Sequence, residues 1–421
     1  MFVSFNKKYL QIKYKKVFIM RRKKEKHVEH ADEKKLKLLG VISFLFGFAQ
    51  ALLMYVTSDY FSQKLGSHNV SSFYFIAYVV ALIGLLNMHK LVKILGKSGA
   101  FFLFFLLQIY LLFALIFVKQ PIVGVALMML YIVAGYFAWT VLDVIIEEYS
   151  EDKKSGRIRG FHLMILNAGV LLGPFLSTRI LASFDYNGLF IATLTLNCLM
   201  LVISLVGLRG VNGRFNGKLT VQDIGMKVLT NKNVLNIYMI SLALEAFYAL
   251  MIVYTPLYLL GRGFSWEQIG IAFTIMLIPF VVLGYPVGIL ADEKFGEKEM
   301  IIGGLLIMGC SSLGIFFINS NSLFLWSAIL LLTRVGAASV ETLRDSYFYK
   351  KIDGRDVDLI SFFRTTRAVA YLLATGLSAM LLIVAPMKYI FLLIAGLVLL
   401  GIYPAFRLVD NKSEVELKAE E

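Results

Sequence analysis

Long apolar runs separated by short polar segments organise this 421-residue chain. A helix needs roughly 20 apolar residues to cross the hydrocarbon core of a bilayer. Cut at its polar punctuation, the sequence gives twelve runs of about that length. They are 38–57, 71–91, 99–118, 121–146, 160–183, 187–208, 236–260, 266–290, 299–318, 322–345, 358–384 and 386–407. The longer runs leave room for tilt or for helical ends beyond the lipid. No soluble domain fits between them. The pattern predicts an all-α polytopic membrane protein of about twelve transmembrane helices.

Composition agrees, with 58% hydrophobic residues, and the net charge of +14 adds orientation. Lys and Arg gather in the 1–37 tail, in the 87–98 loop, in the 209–235 linker and in the 147–159 and 346–357 loops. The alternate loops hold scattered cations such as Lys64, Lys119, Arg262 and Lys388. The positive-inside rule then sets both termini in the cytosol of a multi-pass cell-membrane protein. So distributed, the basic charge points to contact with anionic membrane lipids, and no nucleic-acid partner is expected. Cys198 and Cys310 are isolated and read as small buried hydrophobes, and the five His residues give no metal-ligand spacing.

The chain also repeats itself. The separation that carries Asp143 onto Glu341 carries Glu147 onto Asp345, Tyr149 onto Tyr347, Lys153 onto Lys351 and Arg157 onto Arg355. It likewise carries Ala51, Leu52, Thr57 and Tyr60 onto Ala249, Leu250, Thr255 and Tyr258. Two parallel six-helix halves are expected, 38–208 and 236–407, joined by the Gly- and Asn-rich linker 209–235 and followed by a 408–421 tail.

The segment Gly284 to Gly296, GYPVGILADEKFG, carries the strongest motif. Gly288, Asp292 and Gly296, with Lys294 and Lys298 nearby, resemble the cytoplasmic signature loop of the major facilitator superfamily of two-bundle transporters. The first half keeps the scaffold as Gly84 and Gly96, with Val92 at the acidic position. The resemblance implies close helix approach at Gly288 and a latch in which Asp292 faces the start of the fifth span near Arg157. That span reads Gly160, Gly169, Gly173, Pro174, similar to the proton-coupled drug antiporters of the superfamily. Ser177 and Thr178 stand where that branch has two further glycines, and Tyr131 stands where it has an arginine.

A charge at bilayer depth is costly and marks function. Glu245 is the first candidate for proton coupling. Arg334 and Arg367 are candidates for an anionic substrate group, and Gln50, Tyr55, Trp139, Tyr248 and Tyr254 for substrate contact. Asp143, Glu147, Glu341, Arg344 and Asp345 gather at cytoplasmic helix ends as gate charges. No P-loop, triad or metal site is present in the sequence, so neither an enzyme nor a bound cofactor is expected. The leading expectation is alternating access, with a proton gradient driving efflux of a small apolar or cationic compound. Uptake or facilitated diffusion of a sugar or organic anion is the alternative, and a non-transporting membrane sensor or scaffold is the reading from another class. The expected partners are a small-molecule substrate and lipid; the sequence leaves the oligomeric state open and is compatible with a monomer.

Overall fold

The computed structural model describes residues 37–67, 69–148, 155–207, 231–351, 362–363 and 365–409. These residues are helical throughout their apolar runs. Hydrocarbon offers no hydrogen-bond partners, so a crossing segment must satisfy its backbone internally. The helices are α1 (Lys37–Leu65), α2 and α3 (together Ser71–Phe117), α4 (Pro121–Glu148), and α5 and α6 (together Ser155–Gly207). The second half holds α7 (Lys232–Gly261), α8 (Trp266–Val282 and Gly284–Leu290), α9 (Glu297–Phe317), α10 (Leu323–Lys351), α11 (Thr365–Val384) and α12 (Met387–Phe406).

Among the described residues, ten helices are long and apolar enough to cross a membrane, and the bent α8 makes one more. One of the ten, His162–Leu205, has 44 residues. At 1.5 Å per residue it would reach about 66 Å, twice the core of a bilayer. Its backbone leaves helical geometry at Asp185 (φ 55°, ψ −165°), which parts α5 from α6. Among the described residues twelve crossings result, as the sequence pattern predicts.

Three boundaries differ from expectation. Helix α1 runs on past residue 57, through a turn at 55–56, to Leu65. Its polar end is satisfied inside the protein, where Asp59 accepts hydrogen bonds from Tyr186 Oη (2.6 Å) and Gln63 Nε2 (2.7 Å). Helix α7 begins at Lys232, inside the segment assigned to the linker. Asn231 caps it there by accepting from the amides of Asn233 and Val234. Helix α8 is broken by 43° near Leu283 and ends in a π turn over Ala291–Phe295.

The internal repeat is visible in the backbone. Gly96 turns α2 into α3 at φ 73°, ψ 169°, and Gly296 turns α8 into α9 at φ 75°, ψ 157°. A side chain is disfavoured at both angles, which accounts for the second glycine of each copy. A capping box starts α8: Ser265 Oγ accepts from the Gln268 amide and Gln268 Oε1 accepts from the Ser265 amide.

Small residues set the helix contacts. Ideal β-carbons on Gly47, Gly169 and Gly173 would lie 2.4 Å from Leu166 O, 2.2 Å from Phe44 O and 2.2 Å from Ala51 Cβ, so α1 and α5 pack backbone to backbone. Between the halves, α2 meets α11 and α5 meets α8. A β-carbon on Gly270 would lie 2.1 Å from Thr178 Oγ1. Cys198 and Cys310 lie exposed on the outer surface of the bundles and are not buried as expected. In a membrane that surface faces lipid, so apolar character no longer implies burial in protein.

At the end of the bundles away from the termini (the distal end), Arg262 holds the α9–α10 connection. Its guanidinium donates to Ile318 O, Asn319 O and Ser320 O and to Asn321 Oδ1, at 2.6–3.3 Å. Arg262→Ala is expected to cost about 1–2 kcal/mol, reduced from the full value of a charged hydrogen bond by solvent exposure. A lowered thermal unfolding midpoint with unchanged ligand response checks it.

Candidate functional site

Two faces set at helical spacing build the polar centre. Ser241, Glu245 and Tyr248 share one side of α7, and Glu341, Arg344 and Asp345 share one side of α10. Arg344 joins them. Its Nη1 donates to Ser241 Oγ (2.8 Å) and pairs with Glu245 Oε1 (3.3 Å), while Nε reaches Asp345 Oδ1 (3.1 Å). Glu341 accepts from Tyr248 Oη at 2.9 Å and has no ion pair among the described residues. The sequence reading made Glu245 the proton carrier and Glu341 a gate charge. The geometry distributes them differently: Glu245 is the salt-bridged acid, and Glu341 is held by a neutral hydroxyl.

Arg334 lies about two turns from Glu341 along α10 and is almost fully buried, with 1% of its surface exposed. It stands over the rings of Phe247 (4.8 Å) and Tyr248 (5.8 Å) and faces the Tyr55 hydroxyl from the other half of the protein. Its Nη1 is buried without a hydrogen-bond partner. Arg367 on α11 lies over Tyr371 at 5.7 Å, and its Nε is also buried and unpartnered. Tyr371 stacks on Tyr78 of α2 with centroids 4.2 Å apart. Tyr55 packs against Phe273 of α8 at 4.9 Å.

Nearer the distal end, the halves meet through hydroxyls. Ser71 Oγ lies 2.7 Å from Ser378 Oγ, Tyr254 Oη donates to Ser378 Oγ at 3.3 Å, and Tyr254 also bonds to Ser71. Tyr254, expected to contact substrate, thus holds the distal seam. Trp139 stacks on Phe46 of α1 at 5.9 Å, a packing contact within the first half. Gln50 lies with Gln108 against Gly135, in the interior of that half. Asp143 is partly buried on α4.

The motif residues divide. Gly169, Gly173 and Pro174 lie in the α1–α5 and α5–α8 contacts described above. Outside its own helix no described residue comes within 4 Å of where a β-carbon on Gly288 would sit, and the side chains at the start of α5 lie outside the described residues. The side chains of Glu147, Arg157 and Asp292, and the surroundings of Gly160, lie outside the described residues.

Tyr78, Tyr371, Ser71 and Ser378 were missed from sequence. Tyr371 had a signal, since it stands one helical turn from Arg367. The others meet across the two halves, where spacing along the chain carries no information.

With this geometry in view, sequence comparison decides the family. The sequence model of the Major Facilitator Superfamily matches residues 39–355 and, overlapping it, 267–421. The chain belongs to the Major Facilitator Superfamily. It is a membrane transporter. No curated protein matches this transporter in a sequence search.

Proposed function

We propose that this chain is a secondary active transporter of the cell membrane, working by alternating access and coupled to protons through Glu341. The observation that carries the reading is the α7–α10 network. It holds one acid, Glu245, in an ion pair and leaves a second, Glu341, 2.9 Å from a neutral tyrosine hydroxyl. A carboxyl without a directly bonded cation can exchange a proton at a lower cost than one that must give up a salt bridge. Both termini are cytosolic in this reading, so the hydroxyl seam Ser71–Tyr254–Ser378 is the outer gate, closed in this conformation. It is made of neutral hydrogen bonds, each worth about 1 kcal/mol, which suits a contact that must open in every cycle.

Proton-coupled efflux of an apolar or cationic compound is a second reading, supported by the α5 motif. Gly169, Gly173 and Pro174 seat α5 tightly on α1 and Thr178 on Gly270 of α8. A rigid α5 of this kind moves as one body with its bundle.

The test needs no known substrate. Full-length protein with Cys198→Ser and Cys310→Ser carries spin labels at Ser67 and Val384, exposed positions at the distal ends of opposite halves. In liposomes, two label–label distances are expected, their ratio shifting between acid and alkaline pH. One distance at every pH overturns the proposal.

A further inference from the structure

We infer that the substrate is an organic anion with a flat apolar body, its charge held between Arg334 and Arg367. The inference rests on the proton-coupled transporter reading and adds the substrate class. A buried cation without an acid partner is among the costliest arrangements in a protein, and one at membrane depth more so. Among the described residues no carboxylate lies in ion-pair contact with either guanidinium. Each has a buried N–H without an acceptor, Nη1 of Arg334 and Nε of Arg367. Arg344, by contrast, pairs with Glu245 and Asp345 and donates to Ser241, so the lack of an ion-paired acid distinguishes the other two.

The two arginines belong to one circuit. Arg334 faces Tyr55, and Tyr55 lies within electrostatic reach of Tyr371, which sits under Arg367. On the other side Arg334 reaches Tyr248, and Glu245 interacts with both Tyr248 and Arg367. The side chains around the two guanidiniums are aromatic: Phe247 and Tyr248 beneath Arg334, Tyr371 beneath Arg367 with Tyr78 stacked on it, and Tyr55 against Phe273. Guanidinium forks match carboxylate or sulfonate oxygens, and the rings match a planar apolar body.

Charge balance links this to the proton. Arg334, Arg344 and Arg367 stand against Glu245, Glu341 and Asp345. With all acids ionised the set is neutral. Protonation of Glu341 leaves one positive charge, which one bound anion cancels. A lipophilic cation gains nothing between these two guanidiniums, whose unpartnered N–H groups call for an acceptor of negative charge.

The experiment is thermal unfolding of the detergent-purified full-length protein with 1-naphthoate and naphthalene-1-sulfonate, against neutral 1-naphthalenemethanol and cationic tetraphenylphosphonium. Saturable stabilisation by the two anions alone is expected, strengthening at acid pH. Arg334→Gln should weaken anion binding by roughly 10- to 100-fold, the loss of one charge-assisted hydrogen-bond set. Arg334→Lys should recover part of it. Arg334→Met should also raise the unfolding temperature of the empty protein, since it removes an uncompensated charge; an arginine with a structural role would lower it. Equal stabilisation by the alcohol or the cation, or anion binding unchanged in Arg334→Gln, overturns the assignment. An anion-insensitive protein whose Ser67–Val384 distances still shift with pH defeats the anion assignment and leaves the transporter reading intact. Anion binding with immobile distances defeats the transporter reading instead.

Discussion

Glu341→Gln is expected to give a folded protein whose two halves no longer respond to pH. The amide copies the size of the carboxyl and can still accept the hydrogen bond from Tyr248 Oη that Glu341 receives at 2.9 Å. Because no ion pair is broken, stability should change by less than about 1 kcal/mol. The substitution fixes the side chain in a form equivalent to its protonated state. In the spin-labelled protein, the ratio of Ser67–Val384 distances should stay at its acid-pH value at all pH, and any flux driven by a pH gradient should fall to background. Glu245→Gln separates the roles. It removes one partner of the nearly buried Arg344 pair, whose side chains are 8% and 12% exposed, and should cost about 2 kcal/mol. The pH response should survive it. The reverse pattern, with coupling lost at Glu245 and kept at Glu341, would return the proton to the residue that sequence alone favoured.

The second large effect is structural. Gly169→Leu should prevent a stable monodisperse protein from accumulating. A β-carbon there would lie 2.2 Å from Phe44 O and 3.0 Å from Phe48 N, both backbone atoms of α1 that no side-chain rotation can move. The helices must part by more than an ångström. Inside a membrane, packing and not hydrophobic burial holds helices together, so the separation removes most of what joins α1 to α5. A loss of at least about 3 kcal/mol is expected. Gly396→Ala is the control, because nothing lies within 4 Å of its β-carbon position, and it should express normally. Size-exclusion profiles of the two variants in detergent decide the matter. A normal profile for Gly169→Leu would show that the α1–α5 contact is looser than its geometry implies.

The α5 motif shows how far reading by resemblance reaches. The Gly169–Gly173–Pro174 pattern was legible, and so was the meaning of its small residues, because a stripe of glycines on one face implies a close neighbour. Which neighbour it is was not. Spacing on α5 does not say that Phe44, Ala51 and Gly47 of α1 fill the stripe, or that Thr178 meets Gly270. Glu245 teaches the same lesson about charge. Its depth in the seventh span was readable from a hydropathy window. Its pairing with Arg344, 99 positions later, was not, and that pairing decides which acid is free to carry a proton.

By itself, then, the sequence determined what depends on order along the chain. Twelve apolar runs of membrane-spanning length, their alternating flanking charge and their repetition dictate the helices and their count, since hydrocarbon permits no other way of satisfying the backbone. The signature glycines at 96 and 296 were readable too, and both turn their helices at the same backbone angles. Tertiary structure decided what depends on neighbours across the fold. It paired Arg344 with Glu245, set Tyr371 on Tyr78 and joined Ser71 to Ser378. It also left Arg334 and Arg367 each with a buried N–H that has no acceptor. The physical reason is range: helix formation is governed by contacts within four residues, whereas the energy of a buried charge is set by whichever side chains the packed helices bring within a few ångströms.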